Sequence, residues 1–320
     1  MIRRLIFLLT LTAACGLATG KDITVAQDGA GDFKTVQEAI DSIPSKNAKR
    51  IVIHIKPGTY KERVRLPKDK PLVTFLGDEG AAEKTVLTWN YSAKSKETGS
   101  DKEVGTSGSY STLIESDDFV AQNITFENSA GEVGQAVALR TTGDRAVFRN
   151  CRMIGWQDTL YTHGTGRAYF VDCYVEGRVD FIFGKSTAVL ENCHIHSKNG
   201  GFVTAAATPK ESPFGYVFIH CKLTGDTPNS TCLGRPWRPD AAVAYIECEM
   251  GDHIKPQGWS DWGGNENHKT ARYSEYKSTG PGANPEKRLA WSKQLTDDEA
   301  KQYTVENVLR GNDDWDPRHL

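Results

Sequence analysis

Phe148-Arg149-Asn150-Cys151, Phe170-Val171-Asp172-Cys173, Leu190-Glu191-Asn192-Cys193, Phe218-Ile219-His220-Cys221 and Tyr245-Ile246-Glu247-Cys248 are five copies of one short unit. Each runs apolar, any residue, polar, cysteine. Most continue with a polar residue, an apolar residue and a nearby glycine, as in Cys151-Arg152-Met153-Ile154-Gly155 and Cys173-Tyr174-Val175-Glu176-Gly177. The cysteines lie 22, 20, 28 and 27 residues apart. An earlier copy, Val120-Ala121-Gln122-Asn123-Ile124-Thr125-Phe126, carries Ile124 in the cysteine position. The unit alternates with period two and is rich in β-branched and aromatic residues, which argues against a helical repeat. A short strand kept in every copy, with the length variation left to turns, predicts an all-β parallel β-solenoid.

Two aspartates lie inside this repeat. Asp158 sits in Gly155-Trp156-Gln157-Asp158-Thr159-Leu160-Tyr161, and Asp180 in Gly177-Arg178-Val179-Asp180-Phe181-Ile182-Phe183-Gly184. Their spacing nearly equals the repeat, so a solenoid stacks them on neighbouring coils. Gln135 lies a further 23 residues upstream of Asp158, on the coil before. Close carboxylates do not both ionise easily; one is pushed to keep its proton. That gives one base or nucleophile and one acid. A cation beside one of them decides which is which, and Arg235 in Leu233-Gly234-Arg235-Pro236-Trp237 is a candidate. Gln135 and Gln157 could supply donors to an oxyanion. Taken singly, an Asp in a coil turn is ordinarily an Asx cap, Gln135 a rung of a side-chain ladder, and Arg235 a surface ion pair.

These motifs resemble the pectin methylesterases, carbohydrate esterases with a right-handed parallel β-helix. The resemblance rests on Gly58-Thr59-Tyr60-Lys61-Glu62, Gln135 to Arg140, Gly155 to Tyr161, Gly177 to Gly184 and Leu233 to Trp237, in that order. It continues through Gly258-Trp259-Ser260-Asp261-Trp262 and Tyr273-Ser274-Glu275-Tyr276 to Gly280-Pro281-Gly282-Ala283, covering roughly residues 22–317. It implies hydrolysis of galacturonate methyl esters in pectin. By resemblance Asp180 is the nucleophile and Asp158 the acid that then acts as base. Gln135 and Gln157 stabilise the oxyanion, and Arg235 holds the nucleophilic carboxylate. Trp237 and Phe181 line the sugar cleft, and Thr112 contacts substrate. No metal and no organic cofactor is implied. Trp156 stands where the family often has tyrosine. A lyase or glycoside hydrolase on the same fold is the rival enzyme class, and a non-catalytic carbohydrate-binding solenoid the rival binding class. A serine esterase is disfavoured because no Gly-x-Ser-x-Gly occurs.

The remainder fits one exported domain. Arg3 and Arg4 precede the short apolar run Leu5 to Leu11, followed by small residues, which reads as a signal peptide over 1–20 ahead of a β-helix domain over 21–320. The run is too short to span a bilayer. Export leads to secretion or the periplasm. Thr12-Ala13-Ala14-Cys15 also weakly resembles a lipoprotein cleavage site with a lipid anchor on Cys15 at the outer surface, but the usual leucine sits one place early, at Leu11. Charge nearly balances, with 39 basic and 41 acidic residues and no basic stripe, so nucleic acid is excluded as a partner. A monomer is the expected state. The cysteines form no CxxC pair and read as a column of small buried thiols. Cys173 and Cys193, on adjacent rungs, are the candidates for a disulfide. Thr35-Val36-Gln37-Glu38 predicts a capped helix that plugs the N-terminal end of the solenoid. Thr296-Asp297-Asp298-Glu299 opens another in a C-terminal segment that folds back along the outside. Residues 92–109, rich in Ser, Lys, Glu and Gly, read as a loop that could reshape the cleft.

Overall fold

The computed structural model describes residues 22–319. The export segment over 1–20 and Cys15 lie outside the described residues. The chain winds as a right-handed parallel β-helix. One face is an eleven-stranded sheet whose strands stack in chain order, from Ile23–Val25 to Lys293–Gln294. A second column begins at Gly58–Lys61 and runs through Thr85–Trp89, Thr125–Asn128 and Arg152–Ile154. A third runs through Val64–Leu66, Thr112–Ile114, Leu139–Thr141 and Leu160–Thr162. Two long strands, Tyr174–Gly184 and His194–Ala206, bend from the second column into the third and merge them into one sheet.

The repeat units supply both the strand and the turn. Their apolar first positions stack inside: Phe148 lies on Phe170 with ring centroids 4.7 Å apart, and Phe218 on Tyr245 at 4.3 Å. The polar third position has a conformational cause. Asn123, Asn150, Asp172, Asn192, His220 and Glu247 all take positive φ, between 49° and 58°. Asn and Asp tolerate that region best among residues with a side chain. Each turn is then tied to the next coil, as in Asn150 N–H to the Val171 carbonyl at 3.1 Å and Asp172 N–H to the Glu191 carbonyl at 3.1 Å.

Cys151, Cys173, Cys193, Cys221 and Cys248 form the expected buried column, and with Cys232 they are free thiols. Cys173 and Cys193 are therefore not bonded to each other. Each instead sends its thiol to carbonyl oxygens of its own and the preceding coil, at 3.4 to 3.5 Å.

The N-terminal end is closed and one outer face is covered. Helix Val36–Asp41 has the capping box expected of Thr35 and Glu38 and buries Val36, Ala39 and Ile40 against the first coil. Glu62 accepts from the Val36 and Gln37 N–H groups at 2.8 and 2.9 Å, adding acceptors for donors the short helix leaves unpaired. The C-terminal segment lies on the outer face of the eleven-stranded sheet. Val305, Val308 and Leu309 pack there on Val147, Tyr169, Val189 and Val217. Its capping box at Thr296 and Glu299 also forms. The described chain contains no helix long and apolar enough to cross a membrane.

Candidate active site

The third column carries the site on its outer surface. Leu160 pairs with Ile182 and Tyr161 with Phe183. Two residues before that pair, Asp158 and Asp180 fall at the same register on successive coils. Both backbones are in the left-handed region, with φ of 66° and 52°, which breaks the strand alternation at each carboxylate. At Asp180 the next coil confirms the break: Val179 to Ile182 spans three steps against two from Phe202 to Thr204. The extra residue is a β-bulge, a device that re-aims a side chain.

Glycines make the bulge possible. A Cβ on Gly177 would collide with the Phe181 Cβ and with the Trp156 carbonyl. A Cβ on Gly234 would collide with the Thr204 hydroxyl, which bonds the Leu233 carbonyl at 2.9 Å. That close approach lets the strand Thr231–Pro236 bring Arg235 to the site.

Arg235 donates from Nε to Asp180 Oδ1 at 2.9 Å and from Nη2 to Asp180 Oδ2 at 2.7 Å. Its guanidinium is held between two rings, 4.0 Å from the Phe202 centroid and 4.2 Å from that of Trp262. Among the described residues no side chain makes a comparable pair with Asp158. Asp158 and Asp180 are each only 6% exposed. Burial, and then the Asp180 charge, push the Asp158 carboxyl well above the usual carboxylate range, with Arg235 acting the other way. Burial also raises Asp180, but the hydrogen bonds and charge of Arg235 pull it back. Both carboxyls are pushed up on balance, Asp158 the further, so Asp158 is the better placed of the two to hold a proton.

Gln135 and Gln157 stack through a parallel backbone bridge, and Ala136 N–H donates to the Gln157 carbonyl at 3.1 Å. Both line the same cleft of about 530 Å³ as the two aspartates, Arg235 and Trp237. Tyr161 and Phe183 form its floor, stacked 4.1 Å apart with Trp237 tilted 6.1 Å from Phe183.

Two expected contacts lie elsewhere. Phe181 is fully buried in the main core. Asp180 faces the cleft, Phe181 and Ile182 both face the core across the bulge, and the cleft ring is Phe183, two residues on from Phe181. Thr112 is also fully buried, in register with Leu139 and Val64, two core residues, and does not reach the cleft. Sequence reasoning missed Phe202 and Trp262, which clamp Arg235. It also missed Tyr161 and Phe183, although each stands three residues after an aspartate, and that shared offset was a usable signal. Residues 104–107 form one wall of the cleft. Their loop is hydrogen-bonded to itself and to the Gln135 carbonyl, and Arg140 holds it through the Ser107 carbonyl at 2.8 Å. Among the described residues no cluster of three or more His, Cys, Asp or Glu suited to a metal occurs.

Two close carboxyls, one of them paired with an arginine, and two amides lining one cleft are the groups that acyl transfer from an ester needs. The pectinesterase family model matches residues 22–312. Pectinesterase 31 of Arabidopsis thaliana is 48% identical over 293 residues, covering 90% of this chain and 92% of its own. The solved pectin methylesterase from carrot superposes with a TM-score of 0.84 at 35% identity, covering 91% of this chain and 94% of that one. A pectin methylesterase solved in complex with a hexasaccharide gives 0.80 at 31% identity, covering 94% and 99%. The chain belongs to the pectinesterase family.

Proposed function

We propose that this member of the pectinesterase family hydrolyses methyl esters of galacturonate units in pectin, releasing methanol and leaving polymer length unchanged. The observation that carries the reading is the stacked pair Asp158–Asp180 with Arg235 on one member only. A lyase would need a basic residue to abstract a ring proton, and a binding solenoid has no use for two carboxylates of opposed protonation.

The assigned steps follow from that asymmetry. An ionised Asp180 oxygen attacks the ester carbonyl carbon, and the carbonyl electrons move to oxygen. The Gln135 and Gln157 amides donate to that oxyanion. The tetrahedral intermediate collapses, the bond to the methoxy oxygen breaks, and Asp158 gives its proton to form methanol. This leaves the acyl group on Asp180 as an anhydride. Asp158, now a carboxylate, takes a proton from water as the water oxygen attacks the acyl carbon. Asp180 leaves as carboxylate, the product acid is released, and Asp158 is again protonated. General acid–base catalysis of this kind is worth about 10²–10⁴-fold. Trp237, Phe183 and Tyr161 offer aromatic surface for the sugar backbone. Export to the cell exterior or periplasm fits a polymeric substrate of the plant wall, and a monomer suffices because every assigned group comes from one chain.

The test is methanol release from highly methylated pectin, with chain length and unsaturated products followed in parallel. Stoichiometric methanol and acid with unchanged chain length are expected. Shortened chains without methanol, or unsaturated products, would overturn the assignment.

A further inference from the structure

Lys198 lies outside the catalytic groups assigned above, yet it reaches back two coils to the turn that bears two of them. The cause is an irregularity in the strand His194–Ala206. Its stretch from Ser197 to Phe202 faces only Gly177 to Val179 on the coil before, an excess of three residues. Asn199, Gly200 and Gly201 absorb that excess at positive φ of 49°, 88° and 106°. The excursion lifts Lys198 away from the ladder and turns its side chain along the outer surface. Lys198 Nζ then donates to the Gly155 carbonyl at 2.9 Å and to Glu176 Oε1 at 2.7 Å. The same ammonium lies 4.1 Å from the centroid of the Trp156 ring.

The turn Gly155–Thr159 is otherwise pinned by backbone bonds and by the Thr159 hydroxyl. The Trp156 carbonyl accepts from Arg178 N–H at 2.7 Å, that of Gln157 from Ala136 N–H, and that of Thr159 from Ala138 N–H at 2.9 Å. Asp158 N–H donates to the Val179 carbonyl at 3.1 Å, and the Thr159 hydroxyl to the Glu176 carbonyl at 3.0 Å. Of the carbonyls of this turn named here, that of Gly155 is the one held by a side chain from another coil. Lys198 and Glu176 are only 16% and 17% exposed, so the pair is not an ordinary solvated surface bridge. Glu176 is itself steadied by the Tyr174 hydroxyl at 2.8 Å.

We propose that Lys198 is a positioning residue: it clamps Gly155 and Trp156 and thereby fixes the Gln157 amide and the Asp158 carboxyl one and two residues on. The inference rests on the esterase reading for what Gln157 and Asp158 do. Trp156 is part of the device, since its ring gives the ammonium a third partner, after the Gly155 carbonyl and Glu176. Displacement of the turn by a fraction of an ångström would misplace an oxyanion donor and the proton donor together, and such errors are costly in rate.

The experiment compares Lys198→Met and Lys198→Arg with the wild type. Lys198→Met keeps the apolar stem and removes the donors. It should lower kcat about tenfold or more with KM within about twofold and the thermal midpoint nearly unchanged. The pH profile should fall at all pH values without shifting its limbs. Lys198→Arg, still able to donate and to stack on Trp156, should recover most of the loss. Hydrogen exchange supplies a readout that needs no turnover: in Lys198→Met, amides of residues 155–160 should exchange faster while other coils do not change. Unchanged kcat, a rise in KM alone, unchanged exchange at 155–160, or a loss that follows falling thermal stability without rescue by arginine would each overturn the proposal. Failure of the wild type to release methanol would instead strike the esterase reading, and the exchange result would still decide whether Lys198 holds the turn.

Discussion

Arg235 meets Asp180 with two near-parallel hydrogen bonds, at 2.9 and 2.7 Å, and leaves Asp158, in register on the preceding coil, with no cation of its own among the described residues. The two aspartates have equal exposure, so burial alone does not distinguish them. The planar guanidinium does, because its fork matches one carboxylate and makes no such pair with the other. Phe202 and Trp262 fix the plane of that fork from both sides.

Arg235→Lys tests the geometry of the fork apart from its charge. A lysine cannot make both bonds at once and loses the flat contact with Phe202 and Trp262. Hydrogen bonds to charged groups are worth about 1.5–3 kcal/mol, so kcat should fall roughly 10- to 100-fold. Steady-state rates on methylated pectin check this. Wild-type turnover in a folded Arg235→Lys enzyme would show that charge alone suffices.

Asp180→Ala removes the group proposed to attack the ester. Turnover should fall by about 10⁴-fold or more, while the far-ultraviolet spectrum and polymer binding stay intact. Methanol assays with binding to pectin measured in parallel distinguish loss of chemistry from loss of fold. Near wild-type methanol release would mean that another group attacks.

The solenoid was legible because Phe148, Phe170, Leu190, Phe218 and Tyr245 recur with a cysteine three residues later, and stacking leaves such a period no other simple explanation. The juxtaposition of Asp158 and Asp180 was legible for the same reason: they share the period. What failed was local direction. The cleft role of Phe181 came by resemblance; with Asp180 outward, alternation itself turns Phe181 in, and the bulge keeps Ile182 inside too, so Phe183 is the next ring to face the cleft. Thr112 failed because the sequence does not say which face of a three-residue strand looks inward. The Cys173–Cys193 bond was allowed by rung spacing, but spacing does not show where a thiol points. Lys198 was invisible because its reach depends on the three-residue excursion ending at Gly201.

The thiol column gives a chemical test. Burial pushes the Cys151, Cys173, Cys193 and Cys221 thiols well above their usual range, and a thiolate is the reactive form. The native protein should therefore be nearly inert to thiol reagents at neutral pH. Denatured without reductant, all six described cysteines should react. Two fewer would restore the Cys173–Cys193 bond.

Gly177→Ala should be disproportionately harmful for one added methyl. The new Cβ meets the Phe181 Cβ and the Trp156 carbonyl, so the bulge bearing Asp180 must shift. Overpacking of this kind costs about 1–3 kcal/mol, and the displaced carboxylate should lower activity further. Denaturant unfolding alongside kinetics checks both. A neutral Gly177→Ala would show that the coil relaxes without moving Asp180.

Asp158→Asn should separate stability from activity, and the sign follows from the proton balance. Burial and the Asp180 charge raise the folded pKa of Asp158 above its unfolded value. Between those two values the native chain holds a proton that the unfolded chain has released. Wild-type stability therefore contains a term that is fully present below the unfolded value, near about pH 4, and is lost as pH rises toward the folded value. Its slope is at most about 1.4 kcal/mol per pH unit. Asparagine has no such proton. The midpoint of Asp158→Asn should thus rise relative to wild type as pH increases above about 4, and level off once pH passes the folded value. Activity moves the opposite way, since an amide neither protonates methanol nor deprotonates water, and a loss of about 10²–10⁴-fold is expected. The same titration shapes the wild-type rate profile: activity declines at low pH as Asp180 gains a proton and at high pH as Asp158 loses its own. Thermal unfolding of both proteins across pH 4 to 8, with methanol release on the same samples, provides the check. A pH-independent difference in midpoint would mean that Asp158 is ionised in the resting enzyme, and the division of labour between the two aspartates would have to be reversed.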